Sequence, residues 1–254
     1  MKNILLIDYD ASSKIPGCRF AIQKFYEQHI MKGILKLNLI TVKFNNLPNS
    51  EVNFRYMNEL IFNNDISLAI GGDHSITYTL SKSIMTNKSL LIIFDAHLDY
   101  FPNHASEICN WNFIEELLDE YEYIIVLGYR NIYHECAKHE KIYLFSSSDL
   151  EYNSRYVKES ISKLIERTND IYLSVDMDVV SPAEFDSVSF PIIGGINFTC
   201  LLYFIEWIFS VGQILFCDIV EYNPLVGGDN AIMFYQFVTR LLKIQEGNLK
   251  DDEK

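Results

Sequence analysis

Short hydrophobic runs recur along the chain, and amphipathic stretches separate most of them. The runs are Asn3–Asp8, Leu39–Phe44, Ser67–Gly72, Ser89–Asp95, Tyr123–Tyr129, Lys141–Ser146, Asp170–Asp176 and Gln213–Glu221. Many are continuously apolar rather than alternating, as strands covered on both faces must be. Helical periodicity fills the intervals at Cys18–Gly33, Ser75–Asn87, Trp111–Tyr121, Ser154–Asn169, Phe198–Val211 and Ala231–Gln245, with Ser75 placed as an N-cap. Strand and helix alternate, which predicts an α/β protein built on a parallel sheet. No linker rich in Gly, Ser or Pro divides the chain and no repeat is visible, so a single domain over 1–254 is expected, with a polar tail from about residue 246 that frays.

The polar residues break this pattern at particular places. "LLIIFDAHLDYF" (Leu90–Phe101) begins as an oily strand and then sets Asp95, His97 and Asp99 at every second position. Residues i, i+2 and i+4 of a strand share a face, so two carboxylates and an imidazole converge. Buried and unpaired, each charge would cost several kcal/mol. A solvated surface turn is the alternative. Asp73 and His74 follow the third run, Asp176 and Asp178 end the seventh, and Glu221 ends the eighth. Parallel sheets collect their functional groups beyond the carboxyl ends of the strands. Four strands deliver polar residues to that rim, which a solvated turn does not predict.

Charge and composition narrow the partners. The 254 residues carry a formal net charge of −13, with 21 Lys and Arg against 34 Asp and Glu. Nucleic acid and anionic membranes are disfavoured, and a cationic small substrate or a metal ion is favoured. The five cysteines (Cys18, Cys109, Cys136, Cys200, Cys217) are scattered, without a CxxC pair, and read as reduced thiols of a cytoplasmic protein. The N-terminal "MKNILLIDYD" is too short for a signal peptide, and no apolar run reaches membrane-spanning length.

His74, Asp95, His97, Asp99, Asp176 and Asp178 form the candidate ligand set. Four carboxylates and two imidazoles exceed the four ligands of a structural zinc. They suit two divalent cations with shared carboxylates, and oxygen-rich donors with some imidazole favour Mn²⁺, with Fe, Co or Zn compatible. Two such cations about 3.5–4 Å apart hold a hydroxide at neutral pH, a nucleophile for an electrophilic carbon. Glu221, left over from the ligand set, is suited to a cationic substrate.

"GGDHS" (Gly71–Ser75), "DAHLD" (Asp95–Asp99) and "SVDMD" (Ser174–Asp178) together resemble the three metal signatures of the ureohydrolases: arginase, agmatinase and formiminoglutamase. "DIVEYNP" (Asp218–Pro224) resembles their substrate-side segment, and "VLGYRN" (Val126–Asn131) their Gly-x-Arg strand end. The resemblance implies a three-layer α/β/α fold with an eight-stranded, mostly parallel sheet. It implies two Mn²⁺ per chain, one held by His74, Asp95, Asp99 and Asp176, the other by His97, Asp95, Asp176 and Asp178, with Asp95 and Asp176 bridging. It implies hydrolysis of a guanidino C–N bond to urea and an amine, with Glu221 on the guanidinium, Asp99 passing a proton to the leaving amine, and Asp73 orienting the site from behind. The substrate would be a free guanidine such as arginine or agmatine, or a peptidyl arginine. A homo-oligomer is expected from the same resemblance.

The sequence also departs from that pattern. Ser181-Pro182 stands where the family reads Asp-Pro, and "SVSFP" (Ser187–Pro191) replaces a Gly-Thr-rich pocket loop. Cys109 or Asn110, within "EICNWNF", stands where arginases and agmatinases keep a proton-carrying His, with His104 as the nearest replacement. Competing readings are agmatinase- or formiminoglutamase-type activity, a non-catalytic metal-binding relative, and a single-zinc deacetylase, which a second metal motif at His74 opposes. Trp111, Phe113, Trp207 and Cys217 read as core, and His29, His134 and His139 as surface or satisfied core. "EELLDEYE" reads as a solvated helix face, and Arg130 as an internal ion pair or a pocket residue.

Overall fold

The computed structural model describes residues 2–44, 51–84, 88–102, 107–130 and 139–247. All eight apolar runs are strands: β1 (Lys2–Asp8), β2 (Leu37–Lys43), β3 (Leu68–Ile70), β4 (Leu90–Phe94), β5 (Tyr123–Tyr129), β6 (Ile142–Ser146), β7 (Ile171–Asp176) and β8 (Ile214–Val220). They form one sheet in the order β2-β1-β3-β8-β7-β4-β5-β6. Every pairing is parallel, so the expectation of a mostly parallel sheet sharpens to a wholly parallel one.

The helices are α1 (Ala21–Lys32), α2 (Glu51–Asn63), α3 (Ile76–Ile84), α4 (Ser147–Tyr152), α5 (Ser154–Ile165), α6 (Phe198–Val211) and α7 (Ala231–Gln245). Alternate residues of each strand feed two separate cores. Leu90, Ile92 and Phe94 of β4 join residues of α1, α5, α6 and α7 on one face. Leu91 and Ile93 join α2, α3 and the 113–121 segment on the other. Each fully buried Leu or Ile stabilises the fold by about 1.5–3 kcal/mol. Three layers follow directly from continuous apolar strands that need cover on both sides.

One local expectation changes. Trp111–Tyr121 is not a helix but a chain of turns with a short 3₁₀ segment at Glu115–Leu117. Its amides reach mostly three residues back: Leu117 N–H donates to Ile114 O at 3.1 Å, Leu118 N–H to Glu115 O at 3.3 Å and Glu120 N–H to Leu117 O at 3.1 Å. Such bonding closes 3₁₀ turns rather than an α-helix. Phe113, Ile114, Leu117 and Tyr121 are buried nonetheless, so the apolar spacing was read correctly and its period wrongly. Ser75 holds the position just before α3, as expected of an N-cap. Its amide and hydroxyl both donate to Asp73 Oδ1, and Asp73 closes the turn. The short α4 follows β6 with no loop, through a reciprocal Ser146–Asp149 capping box.

Candidate active site

The strand order explains why four distant motifs meet. β3, β8, β7 and β4 are consecutive in the middle of the sheet, and adjacent strands lie about 4.8 Å apart. Their carboxyl ends carry His74, Glu221, Asp176 with Asp178, and Asp95 with Asp99. A Gly-Gly turn leads from β3 to His74. Gly71 and Gly72 have φ of +91° and +95°, and a Cβ on Gly71 would sit 2.6 Å from Ile22. Only glycine fits that turn without strain.

His74 is fully buried, and its two ring nitrogens have different surroundings. Nε2 lies 3.0 Å from Ser174 Oγ. Ser174 gives its own hydroxyl hydrogen to Asp218 Oδ1 at 2.6 Å, so it accepts from His74. Asp218 also accepts from Thr77 and Tyr172. This chain puts the proton of a neutral imidazole on Nε2. Nδ1 then turns a lone pair toward Asp95 Oδ2 at 3.2 Å, Asp99 Oδ2 at 3.2 Å and Asp176 Oδ2 at 3.1 Å. Both Nδ1 and Asp95 Oδ2 are buried without a hydrogen-bond partner. Four electron-rich atoms facing one another repel, and a cation among them removes the conflict. Metal bonds of about 2.1–2.2 Å at right angles put neighbouring donors about 3 Å apart, which matches these separations.

A second group adjoins the first. His97 Nδ1 lies 2.7 Å from Asp178 Oδ2 and 3.5 Å from Asp95 Oδ1. Asp95 is common to both groups, one oxygen in each. Backbone amides fix the carboxylates: His97 N–H on Asp95 Oδ1, Ala96 N–H on Asp178 Oδ1, and Asp178 N–H on Asp176 Oδ1. Asp176 places Oδ2 beside His74 in the first group, while its Oδ1 accepts from Asp178 N–H and, like Asp95 Oδ1, keeps a second acceptor position. All six candidate ligands are drawn together within two such groups. Asp99 has φ of +50° and Glu221 of +62°. Non-glycine residues take that conformation rarely, and it concentrates at functional sites.

Without a cation the electrostatics are conflicted. Burial would pull both imidazoles down. Carboxylates outweigh it: Asp176, Asp95 and Asp99 hold His74 well above its ordinary value, and Asp178 pushes His97 up to about 12. Burial, reinforced by the Asp95 charge, pushes Asp99 up to about 7. Burial likewise lifts Asp95, but His74 and His97 overcome it and leave that carboxyl below the usual range. Groups pushed so far apart at one rim are a signature of a functional site.

Glu221 lies beside the first group, reached by His74 N–H at 2.9 Å and Asn110 Nδ2 at 3.1 Å, both on Oε1, and by the Cys18 thiol at 3.3 Å on Oε2. Burial first, then the Asp73 charge, lifts it to about 7. Asp73 accepts from Ser12 N–H and from Ser75. From the sequence, Asn110 was marked only as one of two residues at the displaced histidine position, and Cys18 only as a reduced thiol. Ser189, in the loop that departs from the family, lies 3.7 Å from the Cys18 sulfur. Among the described residues Arg130 forms no carboxylate ion pair. Its guanidinium donates to the carbonyls of Gly128, Asp178, Val179, Val180 and Ile192, clamping the turn that carries Asp178. Phe113 packs on the His74 ring at 4.7 Å, Cys217 is core, and His139 accepts from Lys141 N–H. His29 stacks on Phe25 with a buried, unpartnered Nδ1. His104, His134 and the tail beyond 247 lie outside the described residues. No helix among those residues is long and apolar enough to cross a membrane.

The chain is similar in sequence and fold to known proteins. The chain is 27% identical to an arginase of Staphylococcus aureus, over 91% of this chain and 81% of that one. It superposes on formimidoylglutamase from Bacillus subtilis with a TM-score of 0.80, at 21% identity, covering 99% of this chain and 88% of the other. Agmatine ureohydrolase of Thermoplasma volcanium gives 0.79 at 20% identity, covering 99% and 92%. A sequence model of the arginase family matches residues 4–242. The chain therefore belongs to the arginase family, the metal-dependent hydrolases of guanidino C–N bonds.

Proposed function

We propose that the protein is a binuclear manganese ureohydrolase that cleaves a guanidino C–N bond and releases urea and an amine. The observation that carries this is the pair of His–carboxylate groups sharing Asp95, with the buried Glu221 carboxylate adjoining them. His74, Asp95, Asp99 and Asp176 would hold one cation, and His97, Asp95 and Asp178 the other. The donor set is mostly carboxylate oxygen with two imidazoles, which suits Mn²⁺. When bound, the pair supplies an activated water at neutral pH.

The chain's own residues do the rest. Glu221 binds the substrate cation through a charge-assisted contact in a buried setting. Asp99, at the edge of the first group, carries a proton to the leaving amine. The Asp218–Ser174–His74 chain fixes the donor nitrogen, and Phe113 against the His74 ring keeps bulk water from it. The substrate is a cationic guanidine, with arginine to ornithine as the reference reaction, on a free or a peptidyl arginine.

Urea release from Mn²⁺-loaded protein, measured across free arginine, agmatine, other guanidino acids and arginine peptides, tests this. Release from at least one member is expected. No release from any member overturns the proposal.

A further inference from the structure

The loop in which Cys109 and Asn110 stand at the family's histidine position reaches Glu221, the carboxylate proposed to bind substrate. A carboxylate offers about four acceptor positions, two on each oxygen. On Glu221 both positions of Oε1 are taken, by His74 N–H at 2.9 Å and by Asn110 Nδ2 at 3.1 Å. Among the described residues, Oε2 holds only the Cys18 thiol at 3.3 Å, a weak donor. The two oxygens are therefore not equivalent: Oε1 is fixed, and Oε2 is open to a further donor.

Asn110 is built for this contact. It is buried, at 8% exposure, and its amide is aimed at Glu221. Its loop is pinned by two bonds of Asn112, which accepts from Cys109 N–H and donates to Glu107 O. An amide cannot carry a proton as a histidine would. It supplies a fixed dipole instead. A carboxylate held by two strong donors on one oxygen cannot swing, and a guanidinium needs a fixed partner to be aligned for attack.

Resting on the function proposed above, we infer that Asn110 is a positioning residue: it locks Glu221 Oε1 so that Oε2 is the oxygen presented to the guanidinium. Cys18 guards that oxygen and yields to the substrate. Specificity for a guanidinium then comes from a pre-oriented carboxylate rather than from a titrating side chain on the loop.

The test uses Mn²⁺-loaded full-length protein, with guanidinium chloride as the probe in calorimetry and steady-state urea release beside it. Asn110→Ala removes the donor, and Asn110→Leu removes it while keeping the volume. Each is expected to weaken guanidinium binding about tenfold, the size of one hydrogen bond to a charged group. KM should rise by a similar factor and kcat should fall less, with manganese content and melting temperature close to native. Native-like guanidinium affinity and KM in both variants would overturn the inference while leaving the proposed function standing. Affinity lost only together with manganese or with the fold would also overturn it, because the role would then be structural. A native protein that neither binds guanidinium nor releases urea would overturn both.

Discussion

Ser174→Ala separates a structural serine from one that sets the state of a metal-binding nitrogen. Ser174 accepts from His74 Nε2 at 3.0 Å and donates to Asp218 Oδ1 at 2.6 Å, all in a buried setting. Alanine leaves the imidazole N–H unsatisfied and removes one of three side-chain donors to Asp218, from which Thr77 and Tyr172 remain. An unsatisfied buried donor costs about 1–3 kcal/mol. For a chain of this size that is roughly 2–12 °C in melting temperature, at about 2–4 °C per kcal/mol. The larger effect is on the other face of the ring. With Nε2 unanchored, the ring no longer holds its lone pair on the three carboxylates, and loss of such a supporting partner typically lowers metal affinity about 10- to 100-fold. Calorimetric titration of chelator-treated protein with Mn²⁺, beside thermal melts, reads both effects. A variant that melts lower but binds Mn²⁺ within about twofold of native would refute the tautomer reasoning.

Other consequences are equally direct. In metal-free protein Asp99 and Glu221 titrate near 7 because burial raises them, against about 3.9 and 4.3 unfolded. The folded state thus binds their protons more tightly, and stability is lost as pH rises from about 4 toward 7. His97, raised to about 12, gives stability that is full below about 6.5 and lost above it. Chelated protein should therefore melt lower at pH 8 than at pH 6, and an equal or higher melt at pH 8 contradicts this. Bound Mn²⁺ reverses the trend, because its ligands must be deprotonated. His97→Ala should leave about one cation per chain, whereas Asp95→Ala, which removes the carboxylate common to both groups, should leave almost none by plasma mass spectrometry. Gly71→Ala forces a Cβ against Ile22 at a φ of +91° and should cost about 1–3 kcal/mol, seen as a lower denaturation midpoint with an unchanged slope.

The chain announced its strands clearly because most carry a largely uninterrupted apolar stretch, and α6 and α7 fall on the residues that periodicity marks. α2 escaped notice although Phe54, Met57 and Ile61 recur at helical spacing on its inner face. Trp111–Tyr121 misled because its apolar spacing is served equally by a run of turns bonded three residues back, and the bond from Ile114 N–H to the Asp99 carbonyl that seats it is a tertiary contact with no periodic trace. Five of the six candidate ligands were legible from alternation at strand ends, and His74 from the Gly-Gly-Asp-His turn that follows the third apolar run. What alternation cannot give is strand order, and it is the adjacency of β3, β8, β7 and β4 that brings the motifs together. The contacts of Asn110, Cys18 and Arg130 were hidden for the same reason. Each reaches the rim from a loop distant in sequence, and an arginine that clamps carbonyls has no sequence signature to distinguish it from one that pairs with a carboxylate.

The central claim is that one rim holds two cations and turns over a guanidine. It is tested most directly by counting manganese and urea in the same sample. After loading and gel filtration, plasma mass spectrometry should find about two manganese per chain, and that material should release urea from a guanidine at a rate abolished by chelation and restored by Mn²⁺. A chain that retains no divalent metal, or one that carries two manganese and releases no urea from any guanidine offered, would contradict the account.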